Sequence, residues 1–175
     1  MSTYKIDAAH SEINFKVKHL MITNVTGTFK QFTATMESST PDFSDAVIHF
    51  EADVNSISTN NEQRDGHLKS DDFFNAETFP KLTFSSKSLA KKTENNYLLT
   101  GDLTIRGITK TVSLNVEFGG IMTDPWGQQK AGFEINGSIN RKDFDLKWTA
   151  TTEAGGIVVS DEVKLQIAVQ MIKQA

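Results

Sequence analysis

The sequence predicts an all-β chain of eight antiparallel strands with one short helical excursion. Three observations carry this. Apolar and polar residues alternate with period two in eight separate segments, turn-forming clusters lie between them, and a stretch near residues 60–76 breaks the alternation. Such alternation marks strands buried on one face only, as in antiparallel sheets. Eight strands of this kind fit either a sandwich or a closed barrel, and closure removes every exposed edge.

Taken in order, "INFKVKH" sets Ile13, Phe15, Val17 and His19 on one face and Asn14, Lys16 and Lys18 on the other. "VTGTFKQFTATM" is a weaker second strand bearing Phe29 and Phe32. After the turn signal "TPDFSD", "AVIHFEADV" aligns Ala46, Ile48, Phe50, Ala52 and Val54. "KLTFSSKS" brings Phe84 and "YLLTGDLTIRG" brings Leu103 and Ile105, with "KKTENN" as the turn between them. "TVSLNVEF" aligns Val112, Leu114, Val116 and Phe118. Beyond "TDPWGQQ", "AGFEINGSI" aligns Ala131, Phe133, Ile135, Gly137 and Ile139, and "EVKLQIAVQM" aligns Val163, Leu165, Ile167, Val169 and Met171. Gly27, Gly101 and Gly137 fall inside strands and are expected at bends or bulges. Ala52, Ala131 and Gly137, small and inward, are expected to leave room inside the barrel.

Two segments depart from the pattern. "NNEQRDGHLKSDDFFNAETFP" lacks β-branched alternation, and Leu68, Phe73 and Phe74 can share one side of a short helix. Asn60 or Asn61 can cap its first turn, and Ser70 can begin another. The second departure runs from Asn140 to Val158, a long connection anchored by Phe144, Leu146 and Trp148.

The 175 residues suffice for one domain spanning 1–175. A formal net charge of −4 and scattered lysines argue against a nucleic-acid partner. The absence of cysteine excludes disulfides, thiolate nucleophiles and Cys-rich zinc sites. No apolar run opens the chain, so a cytoplasmic location is expected; a processed periplasmic form with an added Met would read the same. Twelve phenylalanines stand against two tryptophans and two tyrosines. Phe brings apolar area without demanding a hydrogen-bond partner, which suits both a plain core and an apolar cavity.

No arrangement of the four histidines matches a helical zinc motif, there is no GxSxG elbow, and adjacent His10 and Ser11 point to opposite faces of a strand. No catalytic residue, metal site or cofactor is therefore expected. An alternative keeps a hydrolase or metal-dependent protein, with His10, Asp65 and His67 acting on a lipid-like substrate. "RDGHL" itself supports two readings. Arg64 and Asp65 can lock a loop while Leu68 fills the core, or Arg64, Asp65 and His67 can hold the polar end of a ligand.

Four segments in fixed order, "IDAAHSEINFKVKHLMITNVTGTF", "SISTNNEQRDGHLKSDDFFNAETFPKLTF", "LTGDLTIRGITKTVSL" and "INRKDFDLKW", resemble the YceI-like family of polyisoprenoid- or lipid-binding proteins. The likeness runs from about Tyr4 to Val169. It implies a lipocalin-like eight-stranded antiparallel β-barrel, with "RDGHLKSDDFF" on the helical excursion. It also implies non-enzymatic binding, storage or transport of a long apolar chain (polyisoprenoid, quinone tail, fatty acid or amide) and a homodimer. A membrane or membrane protein would act as transient donor or acceptor. Under this resemblance the pore is lined by Ile13, Phe15, Val17, Phe29, Phe32, Ile48, Phe50, Phe73, Phe74, Phe79, Phe84, Leu103, Ile105, Leu114, Phe133, Ile135, Leu165 and Ile167. His19, Arg64, Asp65 and His67 form its polar mouth. Two departures stand out: Asp145 occupies the usual Gly position of the "NR.DFGL" motif, and Ser160-Asp161-Glu162-Val163 replaces "GDEV".

Overall fold

The computed structural model describes residues 1–149 and 158–175. The strands are β1 (Ser2–Ile6), β2 (Glu12–His19), β3 (Thr23–Phe29), β4 (Phe32–Ser38), β5 (Val47–Asp53), β6 (Ile57–Ser58), β7 (Lys81–Lys91), β8 (Asn96–Ile105), β9 (Ile108–Thr123), β10 (Gln129–Asn140) and β11 (Val159–Lys173). Helix α1 (Glu62–Lys69) lies between β6 and β7. Every pairing is antiparallel. The ring β1-β4-β5-β7-β8-β9-β10-β11 returns to β1 and closes an eight-stranded barrel.

Eight runs of alternation yield more segments because three long strands are broken. β1 and β2 both lie along β11, β4 and β3 lie along them in turn, and β5 and β6 follow. Between β1 and β2 the chain makes one 3-10 turn, Ala8–His10, capped by the Asp7 side chain. The ladder survives this break. The Asp7 amide donates to Gln170 O at 2.8 Å, and the Gln170 amide donates to the Ser11 hydroxyl at 3.1 Å. A second 3-10 turn, Val54–Ser56, separates β5 from β6.

α1 is shorter than the 60–76 excursion. The Asn61 side chain caps it by accepting from the Arg64 amide at 3.0 Å. Ser70 ends it and starts the next turn, its hydroxyl donating to His67 O at 2.6 Å. Phe73 and Phe74 follow in that turn rather than on the helix. The chain leaves the ladder at β6 and re-enters at β7, so this excursion covers the gap at one end of the barrel. Residues 150–157 of the long connection lie outside the described residues.

Of the three glycines expected at bends or bulges, Gly101 flanks one and the other two do not. Register shifts fall between Gly132 and Phe133, opposite Gly119 and Gly120, and between Ser86 and Ser88, next to Gly101. Gly27 and Gly137 sit in unbroken register. What they provide is a recess. A Cβ on Gly27 would stand 2.2 Å from the Phe15 ring, and one on Gly137 would stand 2.4 Å from Leu114 Cδ2. Gly101 receives Phe84 in the same way, at 2.5 Å. Ala52 and Ala131 are fully buried and line neither of the two cavities inside the barrel. The inward glycines thus admit neighbouring side chains instead of leaving space.

The end opposite α1 is closed by Phe43, which is 2% exposed. Tyr4, Phe118 and Phe133 meet its ring edge to face at 5.5, 5.5 and 5.6 Å. The loop that carries Phe43 is tied by Asp45, whose carboxylate accepts from Ser38 Oγ at 2.6 Å, the Ser39 amide at 2.9 Å and Thr40 Oγ1 at 3.0 Å. These donors, Ser38 first and the Ser39 amide next, hold the Asp45 carboxyl well below the ordinary carboxylate value. A depressed folded-state pKa contributes stability above the unfolded value of 3.8 that is lost as pH falls below it. Thermal denaturation against pH is therefore expected to show a falling Tm below about pH 4. Asp45→Asn should lower Tm at neutral pH and flatten that fall; an unchanged acid profile would contradict the assignment.

Candidate functional site

Two cavities lie end to end inside the barrel. The inner one has a volume of about 160 Å³ and, Asn14 apart, only apolar side chains line it. The outer one, of about 250 Å³, lies at the α1 end. Six residues line both: Phe15, Phe29, Leu82, Ile105, Ile139 and Leu165. An apolar cavity of roughly 150 Å³ stays dry and takes up apolar guests. β11 shows the effect on its surface: inward Val163, Leu165, Ile167 and Val169 are only half buried, because their accessible face looks into the cavities.

Most of the expected lining residues are found there. Ile13, Ile48, Phe50, Phe84, Leu103, Leu114, Phe133, Ile135 and Ile167 border the inner cavity, Phe15, Phe29, Ile105 and Leu165 border both, and Val17, Phe73 and Phe74 border the outer one. Phe32 and Phe79 border neither. Phe32 stacks on Phe50 at 6.3 Å, and Phe79 covers Gly107, where its ring would stand 2.7 Å from a Cβ and the φ of 73° also favours glycine. Leu82, Leu89 and Leu99 line the inner cavity without having been expected. The bulge at Lys87 shifts the phase of β7, so Leu89 rather than Ser88 turns inward.

Polar side chains are confined to the outer cavity, apart from Asn14: Lys18, His19, Thr59, Arg64, His67 and Arg141. Asp65 is not among them. Its Oδ1 accepts from both the amide and the hydroxyl of Thr59, at 2.8 and 2.6 Å. Arg64 reaches the same residue, donating from Nε to Thr59 Oγ1 at 2.7 Å and from Nη2 to Thr59 O at 2.8 Å. The two charges therefore lock the entry to α1 through Thr59, and only Arg64 also borders the cavity. His67 Nε2 lies 2.8 Å from Asp72 Oδ2, and its ring packs edge to face on Phe73 and Trp148 at 5.1 and 5.0 Å. With Phe73 and Trp148 5.4 Å apart, the three rings roof the mouth. His10 bonds Asp7 at 2.8 Å in a separate network. His10, Asp65 and His67 are thus committed to three different partners. No group of three or more His, Asp or Glu side chains is placed to hold a metal among the described residues.

Arg141 is the mouth residue that periodicity could not find. It is 3% exposed, and its guanidinium donates to the carbonyls of Leu146, Trp148 and Ser160 at 2.6, 2.7 and 2.9 Å. Burial pulls its pKa down, partly offset by Asp161 at 3.7 Å. It fastens both limbs of the 145–160 connection beside the outer cavity.

Comparison with known proteins shows the same architecture. The family model described as "YceI-like domain" matches residues 4–171. UPF0312 protein SA2479 of Staphylococcus aureus strain N315 is 39% identical over 171 residues, covering 97% of each chain. BcnA of Burkholderia cenocepacia superposes with a TM-score of 0.82 at 25% identity, covering 94% of this chain and 98% of its own. A Campylobacter jejuni YCEI protein gives 0.77 at 35% identity over 90% of each chain. A polyisoprenoid binding domain from Saccharophagus degradans, implicated in plant cell wall breakdown, gives 0.69 at 18% identity over 98% of each chain, a likeness of fold.

The Asp145 departure has a backbone explanation. The 3-10 turn Arg141–Phe144 ends on Asp145 in the left-handed region, φ 62° and ψ 22°. Glycine adopts this conformation freely, and Asp tolerates it better than most residues. Lys147 Nζ at 2.9 Å and Arg106 Nε at 3.7 Å accompany its carboxylate. Asp145→Gly is expected to leave Tm unchanged or higher, and Asp145→Val to cost about 1–2 kcal/mol in chemical denaturation. Equal losses from both variants would place the constraint in the ion pairs instead.

Proposed function

Since the chain belongs to the YceI-like domain family, we propose that it binds a long apolar chain inside its barrel and does no chemistry on it. The carrying observation is the pair of cavities with six lining residues in common. A single linear ligand threaded past Phe15 and Phe29 would occupy both. Each buried methylene contributes about 0.8 kcal/mol, so several isoprene or acyl units bind without any polar contact. A polyisoprenoid, a quinone tail, or a fatty acid or amide all satisfy that requirement. The Saccharophagus neighbour is described as polyisoprenoid-binding; the case for this chain rests on its own cavities. With polar groups concentrated at the α1 end, the ligand's head lies there and its tail lies toward Phe43.

The hydrolytic alternative is the weaker reading, because His10, Asp65 and His67 each serve a separate hydrogen-bonded network.

Substitution separates pore wall from polar site. Phe74 borders the outer cavity and meets Phe29 edge to face at 6.1 Å. Phe74→Asp sets an unpaired charge against the ligand at a cost of several kcal/mol, and co-purified lipid should fall by about tenfold or more. His67→Ala should retain it within about twofold, since the affinity comes from apolar area. The measurement is lipid extracted per mole of folded protein, with circular dichroism as the folding control. The opposite ranking would favour a polar site at "RDGHL".

A further inference from the structure

The turn between β2 and β3 runs against its local preferences. Leu20 and Met21 both hold left-handed φ values, 53° and 64°. Such positions favour Gly, Asn or Asp. Instead, three successive apolar side chains project from the turn: Leu20 is 40%, Met21 59% and Ile22 78% exposed. None of them belongs to the core. The residues just below the turn, Val17, His19 and Val25, line the outer cavity. The apolar tip therefore stands at the rim of the mouth.

The outer face of β2 and its neighbour β11 carries three lysines, with Glu12 at the far end of β2 and Glu162 two residues from Lys164. Lys16 and Lys18 alternate with inward Phe15 and Val17, exposed Lys18 also bordering the rim of the outer cavity, and Lys16 lies directly opposite Lys164 of β11. Like charges opposed across an antiparallel pair are destabilising. None of these three lysines forms an ion pair with a carboxylate among the described residues.

We propose that the β2–β3 tip docks the protein on an anionic lipid bilayer. Leu20, Met21 and Ile22 enter the interfacial layer while Lys16, Lys18 and Lys164 meet the head groups. Apolar side chains backed by cations are the pattern of an interfacial anchor. The docked orientation sets the cavity mouth against the bilayer, so an apolar chain crosses without entering water; this purpose rests on the binding reading above. A lipid surface fits better than a protein partner. A convex three-residue tip cannot supply the roughly 800 Å² per partner of a stable protein interface, whereas a bilayer moulds to it. The hairpin at the other end is also exposed, with Met122 at 78% and Trp126 at 84%, but it stands at the end closed by Phe43.

Vesicle flotation tests this with neutral phosphatidylcholine vesicles and with vesicles containing added phosphatidylglycerol. The wild-type protein should float with the anionic vesicles and release at high salt. A Met21→Asp/Ile22→Asp variant should lose about tenfold or more of the bound fraction. Lys16→Gln/Lys18→Gln/Lys164→Gln should lose the preference for anionic vesicles, and Trp126→Ser should behave as wild type. Lipid extracted from each purified variant reports chain binding independently. Retained lipid with lost flotation in the tip variant supports docking at the tip. Flotation of a wild-type protein that carries no lipid would also support docking while removing the binding reading. Absence of wild-type flotation would overturn the proposal, as would its loss on Trp126→Ser alone. So would a wild-type dimer that the tip variant converts to monomer without changing vesicle binding, since a second copy would then cover the tip.

Discussion

Closure of the hydrogen-bonded ring through β11 is the constraint on which the rest of the molecule depends. One end of β11 pairs with β1 and the other with β2, so a single fifteen-residue strand seals the barrel across a break in its neighbour. The Ser11 hydroxyl, accepting from the Gln170 amide at 3.1 Å, keeps the ladder satisfied where the chain turns aside. Once closed, the sheet has one inside and one outside, and period-two alternation becomes an instruction about which side chains share the interior. Without that closure the same residues would form an apolar face in need of a cover.

What distinguishes this interior from an ordinary core is how its volume is distributed. Large rings lean into glycine recesses, Phe15 over Gly27 and Phe84 over Gly101. Pulling rings against the wall leaves the space along the axis instead of scattering it among small voids. The Phe43 cluster closes one end, while α1, the roof of His67, Phe73 and Trp148, and the Arg141 clamp shape the other. Polar groups meet the cavities almost solely at the second end. For the amphipathic guest proposed above, this arrangement favours one orientation, with affinity and direction drawn from different parts of the barrel.

The strands were legible because their signal is local. Ile13, Phe15 and Val17 declare an inward face in five residues, and the structure puts all three on the cavities. Three kinds of feature were not legible. Phe43 sits in a turn-rich segment with no period, so nothing local marks it as the plug. Arg141 reads as one more loop charge, and only folding brings the carbonyls of Leu146, Trp148 and Ser160 around it. A small inward residue is ambiguous by nature: Gly137 reads as vacant space, but Leu114 fills it. Phe32 and Phe79 fail for a related reason, since a Phe can cover its own neighbours as readily as it can line a cavity. At "RDGHL" the structure shows the loop lock, with Arg64 and Asp65 both tied to Thr59, and places Arg64 at the edge of the outer cavity as well.

The central claim is that the two cavities act as one channel for one chain. A crystal structure of the protein purified with its native ligand, or soaked with a long polyprenyl chain, tests it most directly. The account predicts continuous density from the His67–Trp148 roof past Phe15 and Phe29, ending among Leu99, Val116 and Phe133. A ligand confined to the outer cavity, with the Phe15 and Phe29 rings closed across the axis and the inner cavity empty, would contradict it.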